Sequence, residues 1–83
     1  GMKIRYTTHA ERQLAERNLS RKEIERIVRK PQKLIRQGTA RHRAIGTIRR
    51  HAKRYLLVVI YDRTNAHIEV VTAFLTTKFK KYL

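Results

Sequence analysis

A run of seven apolar and aromatic residues, from Tyr55 to Tyr61, constrains the fold of this chain more than any other feature. Its sequence, YLLVVIY, is rich in β-branched and aromatic side chains, which favour an extended strand over a helix. Because successive side chains of a strand point to opposite sides of a sheet, a strand without a polar face must be covered on both sides. The run therefore predicts that Arg54–Asp62 is a central strand of a sheet.

Further strands are predicted on both sides of this central strand. The segment Asp62–Asn65 is typical of a turn, so the strand after it pairs with the central strand as a hairpin. Before the central strand, Gly38 marks a turn between two other strands. The four predicted strands are Lys33–Gln37, Arg41–Arg49, Arg54–Asp62 and His67–Leu75. They form an antiparallel meander, and Lys3–Tyr6 is predicted as a short lead-in strand.

Two helices are predicted ahead of the meander. Thr8 and Ser20 each stand three residues before a glutamate, which is the spacing of a capping box. The first helix ends near Asn18, and the second carries an apolar stripe on one face before Pro31 ends it. The stripe consists of Ile24, Ile27 and Val28. We therefore predict an α+β fold in which two N-terminal helices pack on one face of a roughly four-stranded antiparallel sheet.

The ends of the chain add little to this architecture. No repeat or linker divides the sequence, which predicts a single domain over residues 2–83. Gly1, ahead of Met2, is interpreted as the remnant of a cleaved expression tag. The tail from Thr76 to Leu83 is predicted to be a short helix or an ordered arm.

The charge of the chain indicates its partners. Twenty-one Lys and Arg residues stand against six Asp and Glu residues, a net charge of +15. A surface of this kind usually binds a polyanion, and RNA is the favoured partner. A basic protein without such a partner, or one that meets an acidic protein, is the alternative. The chain has no cysteine and no apolar run near 18 residues, so we expect a cytoplasmic protein that does not enter the membrane.

The first predicted helix places polar residues on one side. At 100° per residue, His9, Arg12 and Glu16 lie beside an apolar stripe formed by Ala10 and Leu14. Arg12 and Glu16, four residues apart, can also pair as an ordinary solvated ion pair. A solvated face is therefore the alternative to a functional site.

The order of short motifs along the chain resembles a known family. His9-Ala10, then Arg12, then Glu16-Arg17 are followed by a second helix ending in Lys30-Pro31, an Arg-rich strand and a final strand with Val70-Val71-Thr72-Ala73. The order is similar to that of a bacterial family of domains of unknown function related to RelE-like and BrnT-like toxins of the barnase–EndoU–colicin–RelE nuclease set. The resemblance covers roughly residues 6–76. It implies a RelE-like, metal-independent ribonuclease fold, with an acidic antitoxin protein as a possible partner.

The chemistry of such a nuclease assigns roles to residues of this chain. Cleavage without a metal needs a proton carrier, cations for the phosphate and a donor for the leaving oxygen. His9 is the predicted base or acid, and Arg12 and Arg17 are predicted to hold phosphate. Residues that would complete the site are Arg41, Arg43, Tyr61 and Thr72. Alternatively, Arg17 caps its helix, Tyr61 belongs to the core and Thr72 is structural.

The stretch Arg49–Arg54 is predicted to be a basic turn that grips RNA phosphates. Its predicted RNA-binding residues, together with Arg41, are Arg49, Arg50, Lys53 and Arg54. His42, His51 and His67 have no ligand-like spacing, so no metal site is expected, and without a glycine-rich phosphate loop no nucleotide cofactor is expected. The predicted function is a metal-independent endoribonuclease. A non-catalytic RNA-binding module on the same fold, or a basic adaptor for an acidic protein, is the alternative.

Overall fold

Five strands and three helices make up residues 2–83, which are the residues that the structure, a computed structural model, describes. In chain order they are β1 (Lys3–Tyr6), α1 (Thr8–Arg17), α2 (Arg21–Arg29), β2 (Lys33–Gln37), β3 (Arg41–Arg50), β4 (Lys53–Arg63), β5 (His67–Thr76) and α3 (Phe79–Tyr82). The α+β class and the two N-terminal helices are confirmed. Gly1, interpreted above as a tag remnant, lies outside the described residues. Across residues 2–83, no helix has the length and apolar character needed to cross a membrane.

The sheet has five strands in the order β1-β5-β4-β3-β2, so the apolar strand β4 is central, as its sequence predicts. The prediction of a roughly four-stranded antiparallel sheet agrees with β2 to β5, and the short lead-in strand β1 adds a fifth strand. Strand β1 pairs in parallel with β5, with Lys3 opposite His67, and makes the sheet mixed. The physical reason is the route of the chain: α1 and α2 carry it from one edge of the sheet to the other, and the meander from β2 to β5 then brings it back, so that β5 becomes the neighbour of β1.

The N-cap of the first helix lies one residue earlier than the capping-box spacing predicts. Thr7, not Thr8, is the N-cap, and its hydroxyl accepts a hydrogen bond of 3.0 Å from the backbone N–H of Ala10. Glu11 forms an ion pair with Arg21 of α2 instead of closing a capping box. Both Thr7 and Thr8 can cap, and the backbone N–H of Thr7, which donates to a carbonyl of β5, decides where the extended chain ends.

The second helix begins as predicted. The hydroxyl of Ser20 accepts a hydrogen bond from the backbone N–H of Glu23, and the Glu23 carboxylate accepts one from the backbone N–H of Ser20. The apolar stripe of α2 is buried against the sheet. Between the helices, Asn18 takes a left-handed conformation with φ 53°, which ends α1 and turns the chain.

The two sides of the sheet differ in what covers them. On the side that we call the helix face, α1 and α2 pack on Leu57 and Val59 of β4 and on their neighbours. On the opposite side, the α3 face, Leu56 and Val58 pack with the aromatic rings of the short C-terminal helix. Both faces of β4 are therefore covered, which explains why its sequence has no polar face. The tail folds as the short helix that is one of its two predicted forms.

Candidate active site

The structure separates the predicted catalytic residues onto two faces of the sheet. Along β3, Arg41 and Arg43 alternate with His42 and Ala44, and it is Ala44 that packs in the helix-face core. Arg43 lies on the α3 face, where its guanidinium carbon is 5.9 Å from the centroid of the Tyr82 ring. The predicted cradle that joins Arg41 and Arg43 to His9 of α1 is therefore not formed.

The polar residues of α1 mostly contact the sheet or solvent. Nη1 of Arg17 donates a hydrogen bond of 2.6 Å to the carbonyl of Ala73 in β5. The hydroxyl of Thr72 donates to Oε1 of Gln13, which is buried in the same helix. These contacts fix α1 to an irregular part of β5, where one residue bulges out of register. Thr72 and Arg17 thus have structural partners.

His9 and Arg12 are exposed and make no side-chain hydrogen bond or ion pair with the rest of residues 2–83. The structure places them on the outer side of α1. Neither lines a described pocket. Their catalytic roles stay predictions, because no other side chain of the described residues holds either of them in position.

Two residues of the predicted RNA-binding set are neutralised by acidic partners. Arg50 is held by both carboxylate oxygens of Glu23, and Arg41 donates to both oxygens of Asp62, at 2.5 and 3.1 Å. In each pair the arginine donates to the charged form of the carboxyl group and so lowers the pKa of that carboxyl group. Arg49, Lys53 and Arg54 have no carboxylate partner in the described part of the chain.

Replacing Glu23 with Gln is expected to lower the free energy of unfolding by about 1 kcal/mol at neutral pH. Gln keeps the length of the capping residue but removes the charge that pairs with Arg50. That pair, more than the cap, lowers the pKa of Glu23 from 4.5 to about 2. A carboxyl group with a lowered folded-state pKa stabilises the protein above its unfolded pKa and loses that contribution as pH falls through the folded one.

Urea denaturation of wild type and Glu23→Gln at neutral pH and near pH 2 measures this contribution. The difference in unfolding free energy between the two proteins is expected to shrink between about pH 4.5 and pH 2. An equal difference at both pH values would show that the ion pair does not stabilise the fold.

A pocket opens at the end of the sheet that is remote from the β3–β4 turn. It has a volume of about 460 Å³ and is lined by Arg36, Gly38, Thr39, His42, Arg63, Thr64 and Asn65. One wall is the β2–β3 turn, where Gly38 adopts φ 81°, and the other is the β4–β5 turn. The backbone N–H of Arg63 donates to the carbonyl of Ala40 at 2.9 Å and joins the two walls. The pocket is thus held by backbone contacts.

A row of side chains on the helix face crosses the sheet at this pocket. Arg36 of β2 is paired with His42 of β3, and His42 is paired with Tyr61 of β4. The rings of His42 and Tyr61 stack, with centroids 5.1 Å apart and planes inclined by 7°. Arg63 follows Tyr61 on the same face, two residues along β4. The row therefore places an imidazole and a phenol between two guanidinium groups.

His42 is almost fully buried, and its two ring nitrogens differ in their contacts. Its relative exposure is 5%, and Nδ1 lies 2.7 Å from the carbonyl of Ala40. Since a carbonyl only accepts, Nδ1 carries the proton. No buried side-chain nitrogen or oxygen of residues 2–83 lacks a hydrogen-bond partner, and Nε2 makes no hydrogen bond, so Nε2 is an atom that solvent reaches. In the neutral form of this ring, which lines the pocket, Nε2 is thus the atom that can accept a proton.

Tyr61 supports the same site with a protonated hydroxyl. Burial raises the pKa of the Tyr61 hydroxyl above its usual 10.0, and the positive charges of Arg63 and Arg36 offset part of that rise. The hydroxyl makes no hydrogen bond, so by the same argument solvent reaches it, although the residue is only 3% exposed. Tyr61 is the predicted catalytic residue that stacks on His42, although it does not itself line the pocket.

The electrostatics of the pocket favour an anion. None of its described lining residues is acidic, and within residues 2–83 neither Arg36 nor Arg63 forms an ion pair. The described residues also contain no group of three His, Cys, Asp or Glu side chains arranged to hold a metal ion. A phosphate group fits two guanidinium groups, which donate to its oxygens in forked pairs.

The sequence interpretation missed Arg36, His42 and Arg63, although a signal for them exists. His42 is separated from the buried residues Ala44 and Ile48 of β3 by an even number of positions, so it lies on the same face of the strand, which is the helix face. Arg63 is two positions from Tyr61 in β4 and so lies on the same face. What the sequence does not show is that these strands end side by side, so that His42 and Arg63, which are 21 positions apart, share one pocket.

Comparison with known proteins identifies a family. The family described as "Domain of unknown function (DUF4258)" matches residues 6–78. Neither a curated protein nor a solved structure is similar enough to the chain to count as a match.

Proposed function

We propose that this chain, which belongs to the DUF4258 family of domains of unknown function, is a metal-independent endoribonuclease whose site is the pocket around His42. The observation that carries the proposal is the position of His42, which makes no hydrogen bond at Nε2 and lines an acid-free pocket together with Arg36 and Arg63. The net charge of +15 supports RNA as the substrate, because a polyanion is attracted to such a surface. The relationship to RelE-like and BrnT-like toxins, and an acidic antitoxin as partner, remain part of this proposal.

The reaction that these groups can carry out is transfer of the RNA phosphate to the neighbouring 2′-hydroxyl. Nε2 of His42 takes the proton of the 2′-hydroxyl while the 2′-oxygen forms a bond to phosphorus. Arg36 and Arg63 donate to the non-bridging oxygens, on which negative charge develops. The bond from phosphorus to the 5′-oxygen breaks, and that oxygen takes a proton from the hydroxyl of Tyr61. Proton return from His42 to Tyr61 through solvent completes the cycle, with a 2′,3′-cyclic phosphate and a 5′-hydroxyl as products.

In this proposal each group has one task. Because the hydrogen bond from Nδ1 to Ala40 sets the tautomer of His42, the ring presents its lone pair at Nε2. Stacking on Tyr61 holds the ring plane. The raised pKa of Tyr61 keeps its hydroxyl protonated at neutral pH, as a proton donor must be. No step in this scheme needs a metal ligand or a nucleotide cofactor.

The purified chain incubated with a labelled single-stranded RNA in excess EDTA tests this proposal. Cleavage with 2′,3′-cyclic phosphate ends is expected, and no cleavage is expected of the matching DNA or of an RNA with a 2′-deoxy sugar at the scissile position. The deoxy substrates are matched controls, because they keep every phosphate and remove only the nucleophile. Binding of RNA without cleavage, in EDTA or with added Mg²⁺, would overturn the nuclease and favour the non-catalytic RNA-binding module.

A further inference from the structure

The β3–β4 hairpin places two like charges directly opposite each other. Arg49 of β3 and Arg54 of β4 are cross-strand partners on the α3 face. Like charges in this position repel and destabilise a hairpin unless another charge compensates them. Arg50, the next residue, has Glu23 as its partner on the helix face, whereas Arg49 and Arg54 have no carboxylate partner among residues 2–83. A ligand phosphate would supply the missing negative charge.

The C-terminal helix adds aromatic rings beside this pair. The guanidinium carbon of Arg54 lies 5.2 Å from the centroid of the Phe79 ring, and that of Arg43 lies 5.9 Å from the centroid of the Tyr82 ring. Both rings are half-buried against the apolar cluster of the α3 face. Planar groups in such pairs present a surface on which nucleobases can stack.

The charges around these rings are all positive. Lys78, Lys80 and Lys81 belong to the cap and body of α3, and the segment of residues 76–83 contains no acidic residue. The acids of the α3 face, Asp62 and Glu69, are paired across β4 and β5 at the other end of the sheet. Asp62 is eight positions from Arg54, about 26 Å along a strand. The hairpin end of the α3 face is therefore a basic and aromatic surface.

We infer that this surface, made of Arg49, Arg54, Arg43, Phe79 and Tyr82, binds a single-stranded segment of the RNA outside the cleavage site. The inference rests on the proposed function in taking RNA as the ligand. Alternating cations and aromatic planes match the phosphates and bases of a single strand, in which the bases are free to stack. A phosphate-bearing protein or a membrane surface would use the cations but not the rings.

The surface is remote from the pocket, which makes its effect depend on RNA length. His42 and Arg49 are seven positions apart on β3, about 23 Å along the strand, and they lie on opposite faces. At the stacked rise of about 3.4 Å per nucleotide, that distance along one face corresponds to about seven nucleotides. A short RNA can thus fill the pocket alone, and a longer one can reach both sites.

The binding of fluorescent RNAs of about 5 and about 16 nucleotides to the non-cleaving His42→Asn protein tests the inference. In that background, Arg49→Gln with Arg54→Gln is expected to weaken binding of the longer RNA about tenfold. Two lost phosphate contacts should also reduce the slope of log affinity against log salt by about 1.4. Affinity for the shorter RNA should stay within about twofold. Phe79→Leu, which keeps an apolar side chain, is expected to weaken binding of the longer RNA about fivefold without changing the slope.

The matched control removes two positive charges from a different surface of the protein. Lys22→Gln with Lys30→Gln alters two exposed cations of α2 and its cap, and it should change both affinities less than about threefold. Equal weakening by the two double variants would overturn the inference, because only total charge would then matter. Equal weakening of the short and long RNAs would overturn it as well.

The test separates this inference from the proposed function. If wild type cleaves RNA but the Arg49 and Arg54 variants bind the long RNA normally, the second surface is wrong and the nuclease stands. If wild type never cleaves but the length-dependent loss is found, the nuclease is wrong and the surface stands. Absence of any RNA binding at low salt overturns both.

Discussion

RNA cleavage is expected to fall about 10³-fold when His42 is replaced with Asn, because general base catalysis contributes roughly 10²–10⁴ to such reactions. The Asn amide can still donate to the carbonyl of Ala40, the contact that Nδ1 of His42 makes. It provides no counterpart to Nε2, so the proton of the 2′-hydroxyl has no acceptor. The rate constant for cleavage under single-turnover conditions in EDTA is the measurement, since it is independent of product release.

The matched control for this variant is His51→Asn. His51 lies exposed in the β3–β4 turn with φ 52°, a conformation that Asn tolerates well, so this protein should cleave within about twofold of wild type. Because both variants are purified in the same way, the pair also excludes a contaminating nuclease as the source of activity. Binding of a long RNA should be nearly equal for the two, since neither change removes a phosphate contact argued for the α3 face.

His9→Asn decides between the site derived from the sequence and the site in the structure. His9 is exposed on α1, away from the described pocket, and the pocket proposal expects its replacement to leave the chemical step unaffected. A loss of activity in His9→Asn with full activity in His42→Asn would refute the assignment of His42. It would restore the helix-based site and with it the predicted roles of Arg12.

The free energy of unfolding is expected to fall by about 3–4 kcal/mol when Leu57 is replaced with Ala. Leu57 is fully buried in the central strand, where it contacts the helix-face core between β3 and β5. Truncation removes apolar contacts and leaves a cavity that a strand held on both sides cannot close. For a chain of this size the loss corresponds to a fall in Tm of roughly 15–25 °C.

Leu34→Ala provides the comparison for Leu57→Ala. Leu34 lies in the edge strand β2 and is 42% exposed, so the same truncation there should cost less than about 0.5 kcal/mol. Urea and thermal denaturation of both variants, followed by circular dichroism, give the two values. Similar losses in the two proteins would show that β4 is not the centre of the core.

Local signals in the sequence were sufficient for most elements of the fold. The β-branched run in β4, the capping box at Ser20 and the turn after Asp62 each depend on neighbours within a few residues. Such short-range patterns predict where an element lies and which of its faces is buried. The parallel pairing of β1 with β5 escaped prediction, because Lys3 and His67 are 64 positions apart and no local pattern relates them.

Local signals in the sequence did not predict the candidate site. The sequence drew attention to charge and to His9, Arg12 and Arg17 because they stand close together on one helix. Alternation along β3 then placed Arg41 and Arg43 on the other side of the sheet from α1, so the proposed cradle did not form. Proximity in the sequence was a poor guide to which charged groups meet in space.

What the amino-acid sequence determined by itself is the kind of molecule: a strongly basic α+β chain with a central strand that is covered on both faces. Only the tertiary structure decided which arginines stay free. Arg41 and Arg50 meet carboxylates, whereas Arg36 and Arg63 meet His42 and Tyr61 at the end of the sheet. The reason is physical: burial and strand alternation act on each residue locally, but pairing between charges depends on which distant strands become neighbours.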